Sequence, residues 1–219
     1  MNSGDTVINR IGDVIIALGE AEKSKVRPTK IQLQKFVYLT DVLAQVVGMM
    51  KPRAAHKTYR NGPYDPAVQN AVDALAFRGL VRVAGVWRTP SGHMGTSYTI
   101  AGSGRQFLKK LRENPAFARK VQIAGLVGTE LHGLGWDRIV GLVYAEPTYV
   151  ATRPTGWGST LAAEDGLKVS AAFFLAVMRR VAGTLSAENT GSAAWITDRF
   201  FAYLNDYDRH YGATREAVS

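Results

Sequence analysis

The chain has 219 residues, of which 46% are hydrophobic, enough for one large domain or two small ones around a buried core. It contains no Cys, which excludes a disulfide framework, a Cys-based zinc site and a thiol nucleophile, and suits a reducing, cytoplasmic setting. The net charge of +9 lies wholly in residues 1–113, which hold 17 Lys and Arg against 8 Asp and Glu, so the first half is expected to seek phosphates or an acidic protein.

The opening residues lack a basic n-region, and Asp5 and Asp13 interrupt the apolar stretch behind them, so no signal peptide is expected. Val7, Ile8, Ile11, Val14, Ile15 and Leu18 share one stripe, which predicts a helix over 5–22. Thr29-Lys30-Ile31-Gln32 is a capping-box pattern that opens a second helix, running to Val47. A basic connector, Lys51 to Arg60, precedes the turn-forming run Asn61-Gly62-Pro63-Tyr64-Asp65-Pro66. Asp65 as N-cap and Pro66 at the first position start a third helix over 66–78, which Gly79 can end in the left-handed conformation.

Leu80 to Val83, Val86 to Arg88 and Ser97 to Ile100 are β-prone around a loop from Pro90 to Gly95, which reads as a hairpin. Ser103-Gly104-Arg105-Gln106 reads as another capping box, opening a basic helix. Three helices, a hairpin and a closing helix follow winged helix-turn-helix order. The expected fold is therefore mostly α with a small β-hairpin, a winged helix-turn-helix-like domain with appended C-terminal helices.

Asn114-Pro115 starts a further helix, and Trp136 to Ala145 is helical in pattern. Arg153 to Thr160 is rich in breakers and reads as a linker between a domain at 1–152 and a helical extension at 153–219 packed on it. The longest apolar run, Ala171 to Met178, is far short of the roughly 20 residues that span a bilayer and reads as a buried core helix, so no membrane partner is expected. In the last helix Trp195, Ile196, Phe200, Tyr203, Leu204 and Tyr207 share one face. That stripe is expected to bury against the first half, a second copy in a homodimer, or another protein.

Enzyme signatures are missing: there is no Gly-Lys phosphate loop, no His-Glu-x-x-His zinc helix and no Gly-x-Ser-x-Gly nucleophile turn. Asp206 and His210 lie one turn apart near the end, but they read as a solvated helix terminus. No catalytic residue, metal or cofactor is assigned. For binding to double-stranded DNA, Gln69 and Asn70 on the third helix offer base-reading amides, although Asp65 and Asp73 repel phosphate. Phosphate contacts would come from Lys51, Arg53, His56, Lys57 and Arg60 on the connector, from Arg82, Arg88 and His93 on the hairpin, and from Arg105, Lys109, Lys110 and Arg112. Trp87 and Tyr98 read as packing residues of the hairpin.

Leu33-Gln34-Lys35-Phe36-Val37-Tyr38, then Tyr59-Arg60-Asn61-Gly62-Pro63-Tyr64-Asp65, then Phe77-Arg78-Gly79-Leu80-Val81, together resemble the Panacea domain, the SocA-type antitoxin domain of bacteria and phages. Tyr144-Ala145-Glu146-Pro147-Thr148-Tyr149 is similar to a Tyr-and-Pro segment near the end of such domains. The resemblance spans residues 5 to 152, and Tyr64 departs from it, standing where a small aliphatic residue often follows the Gly-Pro pair. It implies a non-enzymatic protein that neutralises a toxin by direct contact, or serves a phage-defence operon, with a toxin-like or defence-system protein as partner. The candidate partner-binding residues are Tyr64, Trp195, Phe200, Tyr203 and Tyr207.

Overall fold

Between Val14 and Leu18 the first helix, α1 (Ser3–Lys23), has no polar residue to turn towards water. In the computed structural model, which describes residues 3–47, 56–59, 62–90, 92–156, 158–161, 172 and 192–211, its residues 12–21 are buried on every side. A helix buried on every side belongs at the centre of a fold, and the helices Lys30–Val46, Pro66–Phe77, Gly102–Glu113 and Pro115–Leu134 and the strand Met94–Ile100 all pack against this one. Lys51, Arg53 and Arg60, and the run Ala171 to Met178 apart from Ala172, lie outside the described residues.

The second helix, α2 (Lys30–Val46), starts on the expected box: the Gln32 amide donates to Thr29 Oγ1 at 3.2 Å, and the Thr29 amide donates to Gln32 Oε1 at 2.8 Å. The third, α3 (Pro66–Phe77), is capped by Asp65, which accepts from the Ala67 amide at 2.8 Å. Gly79, with φ +68°, lets the chain leave α3.

Strands β1 (Val81–Arg88) and β2 (Met94–Ile100) form an antiparallel hairpin with Val81 opposite Ile100 and Arg88 opposite Met94. A register shift between Val83 and Gly85 joins the two β-prone runs into one bulged strand. Val81, Tyr98 and Ile100 are buried at the base, while Val83, Val86, Trp87 and Met94 stand exposed nearer the tip. The Tyr98 amide donates to Pro28 O at 3.0 Å and ties the hairpin to the entrance of α2.

The capping box expected at Ser103 to Gln106 does not form. Helix α4 (Gly102–Glu113) starts earlier, with Ala101 in the cap position and no side-chain cap. A tertiary acceptor outcompetes the local one, because the Ser103 hydroxyl donates to Gly79 O at 2.8 Å. Gly104 sits against the Leu80 backbone, where a Cβ would collide with the Leu80 carbonyl oxygen.

Helix α5 (Pro115–Leu134) is capped by Asn114 and leads through a 3-10 turn, Trp136–Arg138, into α6 (Ile139–Ala145) and α7 (Pro147–Thr152). Trp136 stacks on Phe36 of α2, rings 5.5 Å apart and 7° from parallel. The segment read as a linker is pinned instead. After a 3-10 turn, Arg153–Thr155, the Thr58 amide donates to Ser159 O and the Leu161 amide to His56 O, both at 2.8 Å, and Leu161 is fully buried. The last described helix, α8 (Ala193–Tyr211), packs on α6 and α5. Its approach relies on Gly141, where a Cβ would lie 2.7 Å from the Asp208 carboxylate. The described residues are thus mostly helical with one two-stranded hairpin, and no described helix is long and apolar enough to cross a membrane.

Candidate functional site

Beneath the surface between α1, α2, α5 and the start of α3 lies a network of ionised groups. Arg10 donates through Nε to Asp65 and through one terminal nitrogen to both Asp13 and Asp41, each at 2.7 Å. Lys120 of α5 pairs with the other oxygen of Asp13. All five side chains are buried, so each depends on the others for the solvation that water would give. Burial opposes the charge on Arg10, but the three carboxylates outweigh it and raise its pKa. Asp41 shows the reverse: burial pushes its pKa up, and Arg10 with the His56 hydrogen bond holds it far below the carboxylate range.

His56 closes the network, its Nε2 lying 3.2 Å from Asp41 Oδ2. Burial and the neighbouring Arg10 lower its pKa despite Asp41, and its Nε2 also lies 3.4 Å from Arg10 Nη2. The His56 ring also sits edge-on to Tyr38, 5.0 Å away. The Tyr38 hydroxyl donates to Glu146 Oε2 at 2.5 Å, and burial, reinforced by that carboxylate, raises its pKa. Glu146 also accepts the Thr148 and Tyr149 amides, capping α7.

On this base stands the turn that carries Gly62 to Asp65. Lys57 and Tyr64 exchange backbone hydrogen bonds of 2.9 and 3.0 Å, closing it. Gln34 clamps its far end by donating to Asp65 O at 2.9 Å and accepting the Asp65 amide at 3.0 Å. Lys35 Nζ donates to Pro63 O at 2.7 Å. The Tyr149 hydroxyl reaches Tyr59 O at 3.3 Å. Three of the segments that carry the resemblance, around Gln34, Gly62 and Glu146, therefore meet at one place.

Above them opens a cleft of about 130 Å³ lined by Lys30, Ile31, Lys35, Tyr59, Tyr64 and Gln69. Its rim is apolar and exposed: Ile31 is 47% and Tyr59 54% accessible, and the Tyr59 and Tyr64 rings lie 5.4 Å apart. Among the described residues there is no group of three or more His, Asp and Glu placed to hold a metal.

The structure divides the residues singled out from the sequence. Tyr64 and Gln69 line the cleft, and Gln69 is further engaged with Asp73 at 2.9 Å. Asn70 is exposed on α3, and the face it shares with Asp73 and Phe77 is poor in charge for DNA, because Asp73 already pairs with Lys30 at 2.7 Å and Phe77 is 94% exposed. Lys57, Arg82, Arg88, His93, Lys109 and Lys110 are exposed. Arg105 is drawn into a two-oxygen pair with Glu22 at 2.6–3.1 Å, and Arg112 lies 3.6 Å from Glu20. His56, expected on a solvated connector, is buried beside Arg10 instead, because the backbone of His56 and Thr58 hydrogen-bonds to Gly158, Ser159 and Leu161.

In α8, Phe200 and Leu204 belong to the same buried cluster as Leu142 and Val143, and Tyr203 and Tyr207 pack against it. The stripe thus buries against α5 and α6 of the same chain rather than against residues 1–113, which takes Phe200 out of reach of a partner. Trp195 is partly exposed, with the Arg199 guanidinium 5.8 Å over its ring. Sequence reasoning passed over Arg10, Asp13, Asp41, Lys120, Gln34 and Lys35 as functional elements. The signal was Asp13 and Asp41 standing within runs too apolar to leave a carboxylate in water. Compared with known proteins, the chain matches no family model and no curated protein.

Proposed function

We propose that this protein is a non-enzymatic regulator of a toxin-antitoxin or phage-defence locus that acts by binding a protein partner directly, with the cleft between α2, Tyr59 and Tyr64 as its docking surface. The observation that carries this reading is an exposed apolar rim held on a turn whose backbone is fixed from below by Gln34, Lys35 and the Arg10 network. Rigid aromatic anchors beside a cleft bind at low conformational cost, which is how partner surfaces gain affinity. The locus assignment rests on the resemblance to the Panacea domain. The order α1 to α3, β1, β2 and α4 supports a winged-helix-like arrangement. A DNA-binding regulator is the second reading, supported by exposed Arg82, Arg88, Lys109 and Lys110, but the amides of α3 sit beside an acid and an apolar ring.

The test is co-expression with the product of the adjacent gene. Tyr59→Ala combined with Tyr64→Ala is expected to weaken the complex about 100-fold, as loss of two anchors worth ~1.5 kcal/mol each would do, and to abolish rescue from growth arrest. Wild-type affinity in the double variant contradicts the docking surface.

A further inference from the structure

Lys35 is 2% exposed, yet it lies at the floor of an open cleft. Its ammonium has three donors, and one acceptor is in place, Pro63 O at 2.7 Å. No carboxylate lies within 4 Å of it among the described residues, and burial pulls its pKa down from 10.5 to about 7. Lys35 and Gly62 both line the cleft. Gly62 has φ +86°, and a Cβ there would lie 3.0 Å from Lys35 Nζ, so any other residue would be strained and would crowd it. The space above is several times what a single water molecule needs. Among the described residues the other two donors of this ammonium have no acceptor, and a buried cation lining an open cleft is a receptor for an anion.

We propose that the cleft receives a carboxylate carried on an apolar-flanked peptide segment of the protein partner, with Lys35 Nζ as its counter-ion. This rests on the docking reading above and names the chemistry it needs. Carboxylate suits the site better than phosphate, because Lys35 is a single point charge and the other lining cation, Lys30, is already held by Asp73 at 2.7 Å. The rim of Ile31, Tyr59 and Tyr64 offers the neighbouring side chains of such a segment an apolar surface. A partner with acidic docking segments also matches the +9 balance of residues 1–113.

The site carries its own pH dependence. The carboxylate binds the ammonium form, so affinity is full below the free-state value near 7 and is lost as the pH rises through the higher bound-state value. The other titratable groups lining the cleft are Lys30, Tyr59 and Tyr64; Asp73 stands behind Lys30, and Asp65 is turned to Arg10.

The experiment is an NMR pH titration of the full chain carrying 13Cε-labelled lysine, alone, with N-acetyl-Leu-Glu-Leu, and with inorganic phosphate. The expected result is that the peptide moves the Lys35 midpoint upward by about one pH unit or more, and that Lys35→Met, folded by circular dichroism, binds the peptide at least about tenfold more weakly. A midpoint unmoved by the peptide, or moved as far by phosphate, overturns the assignment. So does a Lys35→Met chain that holds the adjacent gene's product as tightly as wild type while Tyr59→Ala with Tyr64→Ala loses it, a result that leaves the docking surface standing.

Discussion

Arg10→Met is expected to destabilise the fold severely. The substitution leaves Asp13, Asp41 and Asp65 buried around an apolar side chain, and their oxygens, now 2.7 Å from a guanidinium nitrogen, lose it together. Removing one partner of a buried pair costs about 3–5 kcal/mol. Three carboxylates share this partner, so a loss of ~5 kcal/mol or more is set against a total stability of roughly 5–15 kcal/mol. The chain relieves part of the loss by protonating a carboxyl, which makes the defect worse as the pH rises. Adding Asp41→Asn and Asp65→Asn to Arg10→Met is therefore expected to restore part of the lost stability, because neutral amides replace uncompensated charges. Urea unfolding followed by circular dichroism checks both variants. A single variant with a wild-type midpoint contradicts the ascribed role.

Lys35→Met is expected to act in the opposite sense and stabilise the protein. The folded state holds Lys35 near 7 while the unfolded chain titrates at 10.5, so between those values the unfolded state binds the extra proton. Stability therefore rises with pH across that window, and the full penalty is present below 7. One pKa unit is about 1.4 kcal/mol, which sets the full penalty at ~5 kcal/mol and leaves ~4 kcal/mol of it at pH 7, less about 1 kcal/mol for the Pro63 carbonyl that Met leaves without its donor. A net gain of ~3 kcal/mol at pH 7, shrinking towards pH 10, is the expected result of paired denaturation curves. A gain independent of pH places the effect in packing rather than in charge.

What was legible in the sequence follows from how local each signal is. The caps of α2, α3 and α5 depend on atoms two or three residues apart, and Thr29, Asp65 and Asn114 all cap as read. The box at Ser103 failed because a carbonyl 24 residues away, at Gly79, took its hydroxyl. The breaker-rich run after Arg153 has the composition of a linker, but composition does not reveal that Thr58 hydrogen-bonds to Ser159 and Gly156 across 98 to 101 positions. The site is assembled over still wider gaps. Arg10 meets Asp41 and Asp65 at separations of 31 and 55, and Tyr38 meets Glu146 at 108. Periodicity placed Tyr64 and Gln69 on the elements that border the cleft. It could not show that Lys35 and Arg10, two of the 17 basic residues in the first half, are withdrawn from water.

The claim that partners dock at the cleft rather than at the basic hairpin is tested most directly by photo-crosslinking. A benzophenone amino acid placed singly at positions 31, 59, 88 and 109 samples both surfaces, all four side chains being exposed. With the adjacent gene's product, adducts from 31 and 59 and none from 88 and 109 are the expected result. Adducts confined to 88 and 109 contradict the account.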